Sequence, residues 1–353
     1  ETSSIANRIV LEIIESHAAS RVVKGKSMVS EEMHLNAFLA THGIEAVETD
    51  LGEFIIQLNG ETPSHIIVPA IHKNKAQIAK IFHEKVAGAP YTEEVTELNA
   101  IARNTLRRKF YEAGIGLSGV NFAVAETGTL CLVENEGNGR MCTTVPPVHI
   151  AVMGLEKVVE RLEDLPPLLR LLTGSATGQL VTTYVNLITS PRREGEKDGP
   201  QEVHLVILDN GRARIYQDPQ LRQTLQCVRC GTCLNHCPVY TRIGGHAYGF
   251  VYPGPIGKIL TPQMEGLEKA GELAFASSLC GACEEVCPVK IPITALLRRL
   301  RDECYSTAPE SAVPGHGCKR NLAERLAWKG WAFLNAHPRL NRLATALLGR
   351  VGD

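Results

Sequence analysis

Seven of the chain's eleven cysteines fall in two short segments, and their spacing constrains the fold and the chemistry more than any other feature. The first segment is CVRCGTCLNHCP, from Cys227 to Pro238. It has the C-x2-C-x2-C-x3-C-P spacing of bacterial ferredoxins that hold two clusters. The second segment, SSLCGACEEVCP, has the same ending but only three cysteines, with Ser277 three residues before Cys280. The pair of segments therefore indicates an iron–sulfur protein.

The spacing also predicts which cysteines share a cluster. In two-cluster ferredoxins the fourth cysteine of each run lies beyond a bend and binds the other cluster. Applied to both segments, this exchange predicts two 4Fe–4S clusters. The expected ligands are Cys227, Cys230, Cys233 and Cys287 for the first cluster, and Cys237, Cys280 and Cys283 for the second. Structural zinc also uses C-x2-C pairs, but it does not explain two C-x3-C-P endings.

The second cluster is one cysteine short, and the residues leave its fourth ligand open. An oxygen could come from Ser277 or Ser278, and a thiolate could come from Cys304 or Cys318. A 3Fe–4S cluster could form instead, or one iron could stay open to water, a substrate or a partner. An open iron could act as a Lewis acid, but a site that only carries electrons is favoured.

Length and composition set outer limits on the function. A chain of 353 residues is long enough for two domains with separate cores. A formal charge of -1 favours neither nucleic acid nor an anionic membrane as a partner. No apolar run approaches the roughly 20 residues of a transmembrane segment. Clustered cysteines favour a reducing, cytoplasmic compartment over a disulfide framework. Because the first residue is Glu1, we expect a fragment or a processed form.

Hydrophobic periodicity divides the chain into three parts. Residues 1–212 alternate between helical and strand-like segments, SHIIVPA among the latter, which predicts an α/β domain. Residues 213–305 place helical segments before and after each cysteine motif, which predicts a mainly α-helical dicluster ferredoxin-type domain. Residues 306–353 predict a C-terminal helical tail of two helices broken near Pro338.

The α/β domain offers a candidate anion pocket. Lys26 and Ser30 lie on a strand-to-helix loop, where lysines and helix amides favour an anion, although an ordinary loop with Ser30 as the helix N-cap fits equally well. Glu126 and Arg140 lie near turns at strand ends, where pockets form, although turns themselves favour such polar residues. The candidate contacts are therefore Lys26, Glu126 and Arg140. No dinucleotide or P-loop motif is present.

Long blocks of the chain resemble, in order, the lactate-utilisation iron–sulfur protein B family: KGKSMVSEEMHLN, PSHIIVPAIHKNKAQI, GVNFAVAETGTLCLVENEGNGR, GGHAYGFVYPGPIG and ASSLCGACEEVCPVKIP. They lie between Val22 and Pro292, which is most of the chain. The resemblance implies an N-terminal domain of the NagB/RpiA/CoA-transferase-like α/β fold, followed by the dicluster domain. It also implies the same two ligand sets. The serine at position 277 is usual in that family, and Cys304 and Cys318 fall outside the family pattern.

The function that the resemblance implies is an iron–sulfur electron-transfer subunit. It would act in the oxidation of L-lactate to pyruvate, beside two sister proteins and an electron acceptor that the sequence does not identify. In the alternative, the α/β domain binds or transforms an anionic substrate, such as a carboxylate or an acyl thioester, with the clusters as redox or Lewis-acid partners. We expect a subunit of an oxidoreductase rather than a complete enzyme.

Overall fold

The computed structural model describes residues 2–306 and 322–349, and Cys318 lies outside these ranges. The strands are β1 (Arg21–Lys24), β2 (Glu45–Glu48), β3 (Ile115–Gly119), β4 (Phe122–Val124), β5 (Thr129–Glu134), β6 (Val148–Gly154), β7 (Val158–Val159), β8 (Tyr184–Ile188) and β9 (Glu202–Leu208). The helices of the first part are α1 (Ser3–Ser16), α2 (Met28–Glu32), α3 (Leu35–Thr41), α4 (Leu51–Leu58), α5 (Lys75–Lys85), α6 (Val95–Glu112), α7 (Asn138–Cys142) and α8 (Leu165–Thr177).

The remaining helices follow β9. They are α9 (Arg212–Gln217), α10 (Thr232–Asn235), α11 (Pro238–Ile243), α12 (Gly254–Glu265), α13 (Leu267–Ala270), α14 (Ala282–Glu285), α15 (Ile293–Ser306), α16 (Leu322–Ala336) and α17 (Pro338–Gly349). Short 3-10 helices cover Leu155–Lys157, Leu162–Asp164, Leu221–Gln226, His246–Tyr248 and Gly271–Phe275. In the described residues after β9, all regular elements are helical.

The larger sheet has the strand order β2-β1-β3-β6-β9, and every neighbouring pair is parallel. Parallel strands need crossover connections, so helices cover both faces. Successive residues of β1 point to opposite faces: Val22 packs in the core with α1 to α3, and Val23 packs in the core with α4 to α6. The α/β architecture predicted for the N-terminal part is confirmed.

A smaller sheet has the order β7-β4-β5-β8. Strands β4, β5 and β8 are antiparallel neighbours, and β7 pairs with β4 in parallel. Gly128, with φ of 68°, lies in the turn between β4 and β5, where its lack of a Cβ avoids strain. Phe122 and Cys131 pack in one core with Val228 and Cys230, so this sheet supports the first cysteine segment directly.

The helical part packs around a core of its own that contains Cys237, Cys283 and Cys287. Ile66 from the α/β part is buried in the same core. The carbonyl of Ser64 accepts a 2.8 Å hydrogen bond from the Tyr240 hydroxyl. The two parts of the chain therefore share apolar contacts and a buried hydrogen bond.

Two local predictions for the α/β part are wrong. The segment SHIIVPA, residues 64–70, forms an irregular loop rather than a strand, because its isoleucines pack against the cysteine-bearing helices instead of a neighbouring strand. Ser30 does not cap α2. The hydroxyl of Ser27 accepts the capping hydrogen bond from the Ser30 amide at 3.2 Å, and the Ser30 hydroxyl is itself buried against the Lys24 ammonium.

The end of β1 carries a buried ionic cluster. The Lys24 ammonium lies 2.8 Å from a carboxylate oxygen of Glu48 and 3.1 Å from one of Glu31. Burial alone would lower the pKa of Lys24, but Glu48, Glu31 and Glu53 together raise it. Burial raises the pKa of Glu53, Glu48 and Glu31 raise it as well, and Lys24 and Lys26 lower it, so that the net value is about 8. Glu53 is therefore largely protonated at neutral pH.

We expect the Glu53→Gln substitution to flatten the pH dependence of stability. The pKa of Glu53 is higher in the folded chain, so its contribution is fully present below the usual value of 4.5 and is lost as the pH rises through about 8. Above pH 8 the variant should exceed the parent in free energy of unfolding by about 1–2 kcal/mol, with little difference at pH 5. Urea unfolding at both pH values measures this. The exposed Glu84→Gln is the control, and identical pH profiles for Glu53→Gln and the parent would contradict the account.

Candidate metal centres and the adjoining pocket

The first group of cysteines converges on one small apolar cavity. Its lining includes Cys227, Cys230, Cys233 and Cys287 together with Pro288. Cys287 comes from the second cysteine segment and packs in the helical core with Cys227 and Cys233, while Cys230 packs in the core of the smaller sheet. Ile256 and Ile291 complete the wall, so these thiols lie beside hydrocarbon rather than water. The four side chains of the first expected ligand set are thus placed together.

The second group combines buried and exposed thiols. Cys237 and Cys283 are buried, and Cys280 is exposed. Burial, together with the neighbouring Cys237 and Cys280, raises the pKa of Cys283 to about 11. Lys258, with 1% of its surface exposed, directs its ammonium to the Cys237 sulfur at 3.5 Å. Among the described residues no carboxylate pairs with Lys258, so this buried cation favours a negative group at the thiols.

The residues present fit the iron–sulfur clusters that their spacing predicts. Backbone amides donate to three of the sulfurs: Arg229 to Cys227 at 3.4 Å, Tyr240 to Cys237 at 3.5 Å, and Ile291 to Cys287 at 3.4 Å. Such amide donors stabilise the negative charge of a thiolate-bound cluster and tune its potential. Thiols, apolar walls, amide donors and a buried lysine together form a suitable donor set.

The structure describes three of the four suggested fourth ligands. Cys304 is buried on α15, outside both cysteine segments. Cys318 lies outside the described residues. Ser277 and Ser278 lie three and two residues before Cys280, with Ser278 exposed and Ser277 partly buried.

A cavity of about 290 Å³ lies between the larger sheet and the first cysteine segment. Three strands of the sheet end at it: Lys26 follows β1, Asn121 follows β3, and Lys157 follows β6. Val228 and Arg229 form the opposite wall. Ligands of open parallel sheets bind at the carboxyl ends of the strands, so this is the expected place for a ligand of the α/β part. The cavity is large enough for a small molecule only.

The charged groups of this cavity differ in how well they are paired. Each carboxylate in the wall already accepts a hydrogen bond from a backbone amide or an arginine: Asp50, Glu134, Glu136 and Glu156. The ammonium of Lys26 donates to the Ile67 carbonyl, and that of Lys157 donates to the Cys227 carbonyl at 3.0 Å. The Nη1 atom of Arg229 is buried and finds no hydrogen-bond partner within the described chain. The cations therefore retain more capacity for an additional partner than the carboxylates do.

The structure does not bring the three candidate pocket residues together. Lys26 lines the cavity, but Glu126 and Arg140 do not. Glu126 accepts a hydrogen bond from the Leu162 amide at the end of the smaller sheet, and Arg140 is exposed on α7. Glu126 lies apart from Lys26 because the turn that carries Glu126 belongs to a different sheet from β1.

Sequence reasoning missed Lys157 and Arg229 as pocket residues. Lys157 lies three residues after the strand VHIAVMG, so strand-end reasoning could have found it. Arg229 lies inside the cysteine motif, and no local signal indicates that its side chain reaches the α/β part.

A buried ionic network joins the pocket to the rest of the chain. Arg212 forms two hydrogen bonds to Glu32, at 2.9 and 2.8 Å, and a third to Glu156 at 2.5 Å. Tyr252 donates to Glu32 at 2.9 Å, and Arg229 pairs with Glu156 at 3.2 Å. The guanidinium of Arg229 lies 4.9 Å from the centre of the Tyr252 ring. These contacts connect α2, the end of β6, the cysteine segment and the loop before α12.

No helix within residues 2–306 or 322–349 combines the length and the apolar character that crossing a bilayer requires.

Family comparisons divide the chain into three matched regions. The LUD domain family matches residues 1–208, the 4Fe-4S dicluster domain family matches residues 223–291, and the family described as lactate utilisation protein B, C-terminal, matches residues 299–353. The first match covers more than half of the chain. The second identifies an iron–sulfur domain in the segment that holds all seven clustered cysteines.

Similar proteins match nearly the whole chain. Lactate utilization protein B of Shouchella clausii is 46% identical over 99% of this chain and 71% of its own length. The Bacillus subtilis protein of the same name is 48% identical over 94% of this chain and 67% of its own length. An uncharacterized electron transport protein of Escherichia coli, YkgF, is 45% identical over 96% and 69%. A crystal structure of a DUF162 family protein from Deinococcus radiodurans covers 59% of this chain and 99% of its own, with 12% identity and a TM-score of 0.26, too low to carry an argument.

Proposed function

Because the chain belongs to the lactate utilisation protein B family, we propose that it is the iron–sulfur electron-transfer subunit of a complex that oxidises L-lactate to pyruvate. The observation that carries the proposal is the convergence of the clustered cysteines within a core shared with the α/β part. When bound, 4Fe–4S clusters would supply one-electron redox chemistry. The YkgF name supports electron transport for a relative with the same cysteine-bearing region.

The proposal includes two clusters with defined ligands. One would be held by Cys227, Cys230, Cys233 and Cys287, and the other by Cys237, Cys280 and Cys283. The shared cavity supports the first set, and the buried Lys258 beside Cys237 supports the second. In this arrangement the chain's own groups have separate tasks. The isoleucines exclude water, the amides donate to sulfur, and Lys258 balances negative charge.

The proposal also assigns domains, partners and location. Residues 1–212 form a lactate-utilisation domain of the NagB/RpiA/CoA-transferase-like class, and residues 213–305 form the mainly helical dicluster domain. Residues 306–353 form the tail, which is helical at α16 and α17, while 307–321 and 350–353 lie outside the described residues. The parallel sheet and the helices after β9 support this division. The partners are two sister lactate-utilisation proteins and an electron acceptor, and the complex works in the cytoplasm as an oxidoreductase.

Reduction by lactate tests the proposal. The anaerobic protein is mixed with its sister proteins, and the visible absorbance of the clusters is followed after addition of L-lactate. We expect bleaching with L-lactate only when the sister proteins are present. Dithionite gives the full extent of reduction as a reference. Bleaching by dithionite but not by L-lactate with the sister proteins would contradict the proposed role.

The cavity beside the first cysteine segment supports a second candidate function, the binding of a small organic anion. Lys26, Lys157 and Arg229 line it, and the wall of the cavity includes the cluster-bearing loop itself. A bound carboxylate would lie against that loop. Of the three residues that the sequence suggests for an anion site, Lys26 alone lines this cavity.

We expect Lys26→Gln to weaken binding of L-lactate or pyruvate by about tenfold or more, because a neutral amide replaces the ammonium and a charge-assisted hydrogen bond to the anion is lost. Calorimetry on the cluster-loaded protein measures the affinities. Lys85→Gln, on an exposed turn of α5, is the matched control and should leave them unchanged. Equal affinities in both variants and the parent, or equal binding of neutral lactamide, would remove this candidate.

A further inference from the structure

The two cysteine segments share an unusual backbone conformation. In the first, Arg229 and Gly231 have φ values of 61° and 76°, and these residues flank Cys230. In the second, Leu279 and Gly281 have φ values of 56° and 84°, and these residues flank Cys280. Left-handed φ is uncommon for arginine and leucine, so a loop that holds such a residue at the same position in both segments is a structural repeat.

Short helices extend the repeat. In both segments the left-handed glycine directly precedes a four-residue helix, α10 in the first and α14 in the second. Cys233 and Cys283 lie at the second position of these helices. The correspondence therefore holds along the whole loop, and it pairs each residue of the second segment with the residue fifty positions earlier.

Ser277 takes the position of Cys227 in this repeat. The amide of Arg229 donates to the sulfur of Cys227 at 3.4 Å. The amide of Leu279 donates to the hydroxyl oxygen of Ser277 at 3.2 Å. Both side chains therefore turn into their loops in the same way, and the Ser277 oxygen lies where the first segment places a ligand sulfur.

The neighbouring residues favour Ser277 over Ser278. Ser278 is exposed, and its hydroxyl interacts with the thiol of Cys280. Ser277 is partly buried, and its carbonyl accepts a 2.8 Å hydrogen bond from Arg301. Arg301 also donates to the Ala274 carbonyl at 2.8 Å. One arginine therefore anchors both ends of the backbone segment 274–277. On this anchored backbone, the hydrogen bond from the Leu279 amide orients the Ser277 oxygen.

We infer that the Oγ atom of Ser277 is the fourth protein ligand of the second cluster, together with Cys237, Cys280 and Cys283. This assignment rests on the proposed function, because it requires that cluster. An iron–oxygen bond forms, the hydroxyl O–H bond breaks, and the proton leaves to solvent without a change in oxidation state. The second cluster thus has one oxygen ligand among three sulfurs, which makes one of its irons chemically distinct.

Three variants test the assignment by spectroscopy rather than by activity: Ser277→Ala, Ser278→Ala and Ser277→Cys. Each protein is purified anaerobically, oxidised mildly with ferricyanide, and examined by electron paramagnetic resonance for the three-iron signal. We expect Ser277→Ala to give several-fold more three-iron cluster than the parent, because its fourth iron has lost a protein ligand. Ser278→Ala should match the parent, and Ser277→Cys should resist conversion at least as well as the parent.

The outcomes separate this assignment from the proposed function. If the parent holds two clusters and Ser277→Ala converts no more than the parent or Ser278→Ala, the Ser277 assignment is overturned and the electron-transfer role stands. If the parent holds no reducible cluster, the proposed function itself fails. Should Ser277→Ala not fold, Ser277→Cys decides. Mössbauer spectra of ⁵⁷Fe-loaded protein must show that the distinct iron of the parent becomes sulfur-ligated, and an unchanged spectrum overturns the assignment.

Discussion

Replacing Cys287 with alanine is expected to remove the first cluster, although Cys287 lies in the second cysteine segment. Its thiol shares a small cavity with Cys227, Cys230 and Cys233, and a cubane with three remaining thiolates in that apolar cavity lacks its fourth ligand. The iron content per chain should fall by about half, as expected for the loss of one of two four-iron clusters. Iron and sulfide analysis of anaerobically purified protein measures the loss.

Paired substitutions show which cysteines act together. If Cys227 and Cys287 hold the same cluster, the double alanine variant should lose no more iron than either single variant. The double variant at Cys227 and Cys237 should lose nearly all of its iron, because it damages both clusters. Cys142→Ala is the control, since Cys142 is a buried cysteine that packs in the core with α4 to α6, outside both groups. Equal losses in the two double variants would contradict the exchange of ligands between the segments.

The second large effect concerns the ionic network between the α/β part and the cysteine segment. Arg212→Met should lower the free energy of unfolding by about 3–5 kcal/mol, because it leaves two buried carboxylates without their shared cation. Those carboxylates belong to Glu32 and Glu156, and the side chains of all three residues are at most 4% exposed. Denaturant unfolding followed by fluorescence and by cluster absorbance measures the loss.

A surface arginine provides the control for this substitution. Arg222 is exposed and lies 5.9 Å from the centre of the Tyr216 ring, so Arg222→Met should cost about 1 kcal/mol or less. The network also predicts that the free energy of unfolding decreases at low pH, because Glu156 becomes protonated. Burial raises the pKa of Glu156, but Arg229 and Arg212 together lower it, so the stability that it contributes is present at neutral pH and is lost as the pH falls. Equal costs for Arg212→Met and Arg222→Met would contradict this role for the network.

Local sequence patterns were sufficient to predict the parallel sheet and the iron–sulfur chemistry. Segments such as VHIAVMG are apolar throughout because both faces of a parallel strand are buried, and that pattern is readable without a structure. The cysteine spacing is equally local, because three expected ligands of the first cluster lie between Cys227 and Cys233. The N-terminal α/β architecture and the iron–sulfur domain were therefore predictable.

Long-range packing explains what the sequence did not reveal. Ile66 and Ile67 look like strand residues, but their partners are helices that begin more than a hundred residues later. Glu126 and Lys26 both follow strands, but they belong to different sheets, which periodicity cannot distinguish. The equivalence of Ser277 and Cys227 was visible as spacing alone. Only the matching φ values and amide contacts give the serine oxygen a definite position.

Low-temperature electron paramagnetic resonance of the anaerobically purified protein tests the central claim most directly. Spectra are recorded as isolated and after reduction with dithionite, together with metal analysis of the same sample. The account predicts the signals of two reduced 4Fe–4S clusters in each chain, and iron as the main bound metal. A protein that contains zinc instead of iron, or that develops no cluster signal on reduction, would contradict it.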